Sequence, residues 1–212
     1  MKVIVVANVE QQQEIASKNT KPAAEVAFIK TLSEIEPGHY DALFYLTEDH
    51  SELDVQKLAG KPVFINAVVE TLEQNKWPLH VCRINGWPGF LQNAIWEVAT
   101  NDPIPASQVF EKLGWKAVFV GDKTGLISPR VISMIINEAF FAIEEEVSTT
   151  REIDLAMKLG TNYPFGPFEW IDKIGVQNIY LLLKNLSLKD KRYVVAPLLE
   201  KKYLEFIDSQ KA

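Results

Sequence analysis

A single cysteine, Cys82, stands in a chain of 212 residues. It has no partner within the chain, so an intramolecular disulfide is excluded, and a reducing, cytoplasmic setting is expected. No glycine precedes Gly38. A glycine-rich turn cradling a phosphate after the first strand is therefore excluded, because such turns need backbone that side chains do not crowd. Base is not in excess: 22 Lys and Arg face 28 Asp and Glu, a net charge of −6 that repels phosphate backbones and argues against nucleic acid as a partner. Long apolar runs are missing as well. The most apolar stretch, "VISMIINEAFFAI" from Val131, is broken by Asn137 and Glu138 and falls short of the roughly 20 residues a bilayer span needs. It reads as a buried helix, and the amino terminus "MKVIVVANVEQQQ" has too short an apolar run for a signal peptide. With only three histidines and one cysteine, no spacing suggests a metal site.

What is present is a core-forming composition, 47% hydrophobic, arranged in two styles. "VIVVANV" from Val3 is a β-branched run of the sort that becomes a strand buried on both faces. "DALFYLT" from Asp41, "PVFINAVV" from Pro62, "LHVCRING" from Leu79, "AIWEVAT" from Ala94 and "KAVFVGD" from Lys116 repeat that signature between turn-forming residues. "AAEVAFIKTLSEI" from Ala23, apolar at 26, 28, 29, 32 and 35, predicts a helical crossover. The pattern is an α/β fold, with a mostly parallel sheet over residues 1–122.

After Asp122 the strand signals cease, and residues 123–212 read as all-helical. Ser128 before Pro129 predicts an N-cap with proline opening the helix. Thr149 and Glu152 form a capping box, and Gly160 is the expected stop of that helix. Pro167 opens a short helix in "GPFEWIDKIG", and further helical segments begin at Val176 and Tyr193.

The stretch from Asp122 to Gly175 carries Gly125, Arg130, Asn137-Glu138-Ala139, Ile153-Asp154, Ala156-Met157, Pro164-x-Gly166-Pro167-Phe168, Asp172 and Gly175. In these residues it resembles the C-terminal domain of the 3-hydroxyacyl-CoA dehydrogenase family. The resemblance implies a shortened Rossmann-like domain over 1–122 followed by a helical domain over 123–212, which in such proteins dimerises and closes over an acyl-CoA. On their own, Asn137-Glu138 and Gly166-Pro167 also read as scaffold, a polar notch in a helix and a turn feeding a helix start.

Measured against that family, the site residues depart from the pattern. Where the family has its glycine-rich turn this chain reads "ANVEQQQEI", with Val9, Glu10 and Gln11 where phosphates come close and Glu10 adding a repelling charge. With Asn85 held in register, Cys82 falls at the family's catalytic histidine, and a thiol of ordinary pKa near 8.5 is a poor proton acceptor at pH 7. His80 is the alternative base, two residues earlier on the expected strand face. Glu97 matches the glutamate that orients the histidine but arrives three residues late. Pro129 stands where the family has an asparagine, and Asn66 persists without the serines that accompany it in the family. The resemblance thus implies His80, Cys82 and Glu97 as remnant catalytic positions and Asn66 and Asn85 as substrate-side positions. No cofactor is expected, and Cys82 also reads as a small buried hydrophobe.

Three functions compete. The first is an inactive or impaired family member that keeps a homodimer through its C-terminal helices and binds an acyl-CoA-like molecule or a partner. The second is a diverged but active NAD-dependent 3-hydroxyacyl-CoA dehydrogenase. The third is a dimeric assembly module without ligand, with Phe165, Phe168 and Trp170 as interface anchors or, equally, as intrachain core.

Overall fold

A computed structural model describes residues 1–35, 39–58 and 60–211. The chain divides into two compact units, Met1–Leu126 and Ile127–Ala212.

In the first unit the strands are β1 (Lys2–Val6), β2 (Glu25–Ile29), β3 (Ala42–Tyr45), β4 (Val63–Asn66), β5 (Val81–Ile84), β6 (Ile95–Thr100) and β7 (Lys116–Phe119). They form one sheet in the order β2-β1-β3-β4-β5-β6-β7. All neighbours pair in parallel except β5 with β6, which run antiparallel. Every strand expected from the β-branched runs is present. The predicted crossover helix from Ala23 is not: "EVAFI" is β2, followed by a 3-10 turn at Leu32–Glu34. Its apolar spacing serves a period of two, since Val26 and Phe28 pack on one face of the sheet while Ala27 and Ile29 pack on the other.

The two faces are covered differently. Helices α1 (Val9–Ala16) and α2 (Pro103–Leu113) lie on one, where Ile15, Ala106, Val109, Phe110 and Leu113 join the strand residues Val3, Val5, Phe44, Phe64 and Cys82. At its centre Phe44 stacks on Phe64 at 4.5 Å and meets Trp96, Phe110 and Trp115 edge-on. Gly114 closes α2 at φ 77°, a left-handed cap that favours glycine, and a Cβ there would stand 2.9 Å from the Lys21 side chain. The other face carries Ile4, Val6, Leu43, Tyr45, Val63, Ile65 and Val81, and non-helical chain supplies Leu53, Val55, Leu58 and Trp77 against it. Among the described residues only the β1–β2 and β6–β7 connections hold an α-helix, so crossovers are fewer than the alternating pattern predicted.

The second unit contains α3 (Ser128–Glu144), α4 (Thr150–Thr161), α5 (Pro167–Ile174), α6 (Val176–Ser187) and α7 (Pro197–Ser209). Helix α3 is the spine and buries Ile132, Ile136, Ala139 and Phe140. Three expected termini move. Ser128 is the first helical residue and Ile127 the N-cap, with no side-chain cap bond. Helix α4 passes Gly160 and stops at Asn162, whose φ of 56° supplies the left-handed cap. Tyr193 sits in a 3-10 turn, and α7 waits for Pro197, whose fixed φ suits a first helical turn. The capping box of Thr149 with Glu152 and the Pro167 start are as predicted.

The family-like residues of this unit are ties between elements. Asn137 is 2% exposed; its Nδ2 donates to the Val194 carbonyl and its Oδ1 accepts from the Ala196 N–H, which fixes the approach to α7. Asp154 accepts from the Phe168 N–H at the start of α5, and a Cβ on Gly166 would lie 2.4 Å from the Asp154 Cα. Trp170 is buried with Phe165 edge-on to its ring at 4.9 Å, and Phe168 meets Phe140 at 5.2 Å.

Candidate functional site at the carboxyl ends of the strands

Strand β1 leads through α1 to β2 on one side, and the chain then returns past β1 to β3. Between β1 and β3 the strand order reverses, and in open α/β sheets ligands bind in the crevice outside the carboxyl ends at such a point.

Gln11 occupies it. Asn8 caps α1 by accepting from the Gln11 N–H, and Gln11 Oε1 accepts from the Asn8 N–H, so two donors at this helix end are taken by the turn's own side chains. The Gln11 amide is 3% exposed and donates from Nε2 to two carbonyls, Leu46 after β3 and Gly86 after β5, each at 2.9 Å. Asn66, at the end of β4, completes the closure. Its Nδ2 donates to the same Leu46 carbonyl at 3.1 Å, and its Oδ1 accepts from the Gly86 N–H at 2.9 Å. Side chains from α1 and β4 thus knit the ends of β3, β4 and β5. Position 86 requires glycine here, because a Cβ would stand 2.7 Å from the Cβ of Asn66.

The loop after β5 is pinned to α1 by a second device. Glu14, buried on α1, accepts from the N–H of Gly89 at 2.5 Å, of Leu91 at 2.9 Å and of Gln92 at 3.4 Å. Neighbouring backbone amides turned toward one carboxylate form an anion nest, which this protein fills with its own side chain. Trp87 at 2% and Leu91 at 0% exposure lie in the same loop, and Asn85 Oδ1 accepts from the Trp87 N–H at 3.2 Å.

The remnant catalytic positions are not brought together. Cys82 faces the helix-covered core, 2% exposed and paired in register with Thr100, and burial pushes its thiol up to about 11. Trp96 and Val98 share that core. Alternation along β6 therefore turns Glu97 to the other face of the sheet. A delay of three residues, being odd, exchanges the faces of a strand. His80 precedes β5, at the amino end of the strand and not on its face; its ring Nε2 stands 3.0 Å from the Val55 carbonyl.

On that other face Arg83 is fully buried. It donates to the carbonyls of Ala67 and Val68 and pairs with Asp122. Burial lowers its pKa and Asp122 opposes that shift. Asp122 also accepts from the N–H groups of Leu72 and Glu73, so the pair clamps two loops. Among the described residues no cluster of three or more His, Cys, Asp or Glu could hold a metal, and no helix is long and apolar enough to cross a membrane. The sequence reading placed Gln11 at the turn without its bonds to the Leu46 and Gly86 carbonyls, and Glu14 and the Arg83–Asp122 pair escaped it. The signal for Gln11 and Glu14 was the polar run "EQQQE", four residues after a buried strand, and Arg83 and Asp122 lie outside it.

Known proteins with similar sequences and structures agree on a family. The family description "3-hydroxyacyl-CoA dehydrogenase, C-terminal domain" matches residues 125–206. A probable 3-hydroxybutyryl-CoA dehydrogenase of Bacillus subtilis is 32% identical over 183 residues, 84% of this chain and 59% of that protein. The 3-hydroxyadipyl-CoA dehydrogenase of Escherichia coli is 38% identical over 96 residues, 44% of this chain and 20% of its own length. The crystal structure of (S)-3-hydroxybutyryl-CoA dehydrogenase from Ralstonia eutropha shares the fold, with a TM-score of 0.68, 19% identity, and coverage of 94% of this chain and 92% of that one. This chain spans less than two thirds of the length of the curated relatives it matches first. By the family match to residues 125–206 and the 32% identity over 84% of its length, the chain belongs to the 3-hydroxyacyl-CoA dehydrogenase family.

Proposed function

We propose that this member of the family no longer carries out nicotinamide-dependent hydride transfer by the family's route, and that it persists as a homodimer able to hold an acyl-CoA-like molecule or a partner protein. The observation that carries the proposal is the buried Gln11 amide, held between the Leu46 and Gly86 carbonyls at the point where a dinucleotide's pyrophosphate belongs in such folds. The residues of that turn do not fit the cofactor: the capping box takes two donors, and Glu10 sets a negative charge in the first turn. Cys82 adds support, since a buried thiol with a pKa of about 11 cannot accept a proton at neutral pH. The dimer is supported by α4, an amphipathic helix of 12 residues with none buried and with Leu155 and Leu159 at 52% and 79% exposure.

The test is a titration of the purified chain with NADH to millimolar concentration, read by cofactor fluorescence and melting temperature, followed by an assay with acetoacetyl-CoA. Unchanged fluorescence and melting temperature are expected, because a ligand that binds the native state must stabilise it. Saturable NADH binding with turnover overturns the proposal. That result would establish the second reading, an active NAD-dependent 3-hydroxyacyl-CoA dehydrogenase, which the alignment of 84% of the chain to a probable dehydrogenase favours.

A further inference from the structure

Residues 120–127 join β7 to α3, and the first unit ends within them at Leu126. The segment is not free chain. Gly125 and Leu126 follow one another in the left-handed region, at φ 86° and 47°. Glycine takes that conformation readily, whereas leucine there is uncommon and persists only where its surroundings fix it. Leu126 and Thr124 are both buried.

The loop after β4, residues 67–73, supplies the fixing. The Gly125 N–H donates to the Val68 carbonyl at 2.8 Å, and Asp122 accepts from the N–H groups of Leu72 at 3.1 Å and Glu73 at 3.2 Å. Arg83 joins the two segments. Its Nε and Nη2 donate to the Ala67 and Val68 carbonyls at 2.8 Å and 3.1 Å, its Nη1 pairs with Asp122, and its Nη2 stands 3.5 Å from the Lys123 carbonyl. A planar fork of N–H donors lets one side chain serve acceptors on both segments at once. The pair does not part cheaply, because Arg83 is fully buried and without Asp122 an interior charge loses its nearest carboxylate.

We propose that Arg83, Asp122 and the two segments form a latch that sets the direction in which the chain leaves the sheet toward α3, so that a hinge at this boundary opens only when the Arg83–Asp122 pair parts. The latch lies wholly within the first unit, and it holds whether or not NADH binds at the strand ends.

The test is amide hydrogen exchange of the full chain, read by NMR at Gly125, Leu72 and Glu73 against two sheet amides, Leu46 bonded to the Val6 carbonyl and Val63 bonded to the His80 carbonyl. Trypsin supplies a second readout, since Lys123 is exposed within the segment. In the parent, the Gly125 amide is expected to be protected and the bond after Lys123 to resist cleavage. Asp122→Asn keeps the shape but removes the charge, and is expected to speed exchange at Gly125, Leu72 and Glu73, and cleavage after Lys123, about tenfold or more relative to Leu46 and Val63. Glu14→Gln loosens the same unit at another place and is expected to leave that ratio at the parent's value. The proposal is overturned by free exchange of Gly125 in the parent, by Asp122→Asn leaving the ratio unchanged, or by Glu14→Gln raising it as much, which would mark a loss of stability spread over the whole unit. The parent's own exchange decides the matter even where the Asp122 variant does not fold.

Discussion

Replacing Glu14 with glutamine is the sharpest probe of the strand-end site. The substitution keeps volume and shape, so the cost isolates the carboxylate. Two of its three backbone bonds are well placed, to Gly89 at 2.5 Å and Leu91 at 2.9 Å, one on each oxygen. An amide retains one acceptor and turns an NH2 donor toward the other N–H. Losing one charge-assisted bond, worth about 1.5–3 kcal/mol, and burying a donor against a donor gives an expected destabilisation of about 2–4 kcal/mol. Glu14→Ala leaves both N–H groups without a partner and is expected to cost about 2–5 kcal/mol. The assay is urea unfolding followed by tryptophan fluorescence, which reports mainly on the first unit because Trp77, Trp87, Trp96 and Trp115 all lie in it. A midpoint shift with an unchanged slope is the signature of lost stability. Formate, small enough to enter the alanine variant's polar cavity, is expected to restore part of the loss and to leave the parent unaffected. A cost below about 0.5 kcal/mol for both variants, the scale of an ordinary surface substitution, refutes the reasoning.

Three other outcomes follow from the packing. The Cys82 thiol, buried and pushed up to about 11, is expected to resist a disulfide reagent at pH 8 in the native protein and to react only as urea unfolds it; stoichiometric labelling of the folded chain within seconds contradicts this. His50 has a buried Nε2 without a hydrogen-bond partner, and burial holds its pKa below the ordinary value against the opposing pull of Glu70, the Asn66 and Thr47 backbone and Asp49. The unfolded chain therefore takes up that proton first as the pH falls below about 6.5, so this group's contribution to stability is complete above that pH and declines below it, by at most about 1.4 kcal/mol per pH unit. His50→Phe is expected to flatten that part of the profile between pH 7.5 and 5.5, and parallel profiles for parent and variant contradict the assignment. Asn137→Ala leaves the buried Ala196 N–H and the Val194 carbonyl without their side-chain partner, so a loss of about 2–4 kcal/mol is expected by calorimetric thermal unfolding. An unchanged calorimetric transition shows that α7 is seated by other contacts.

Elements with strong local determinants were legible in the sequence. Buried parallel strands announce themselves as β-branched runs, and the Thr149 to Glu152 box and Pro167 mark helix starts because their chemistry is satisfied within one turn. "EVAFI" misleads because apolar residues at 26, 28 and 29 satisfy a helical stripe and a strand equally, and only pairing with β1 decides between them. The site divides along the same line. Sequence alone determined that no glycine-rich turn follows β1 and that no histidine stands at position 82, since both are matters of residue identity at a place in the chain. Tertiary structure alone decided what took their place. The Gln11 amide reaches carbonyls 35 and 75 residues away, Glu14 reaches a nest 75 residues on, and antiparallel pairing sends Cys82 and Glu97 to opposite faces. Hydrogen bonds between such distant groups have no period or spacing in the chain, and they exist only once the sheet has set its strand order and register.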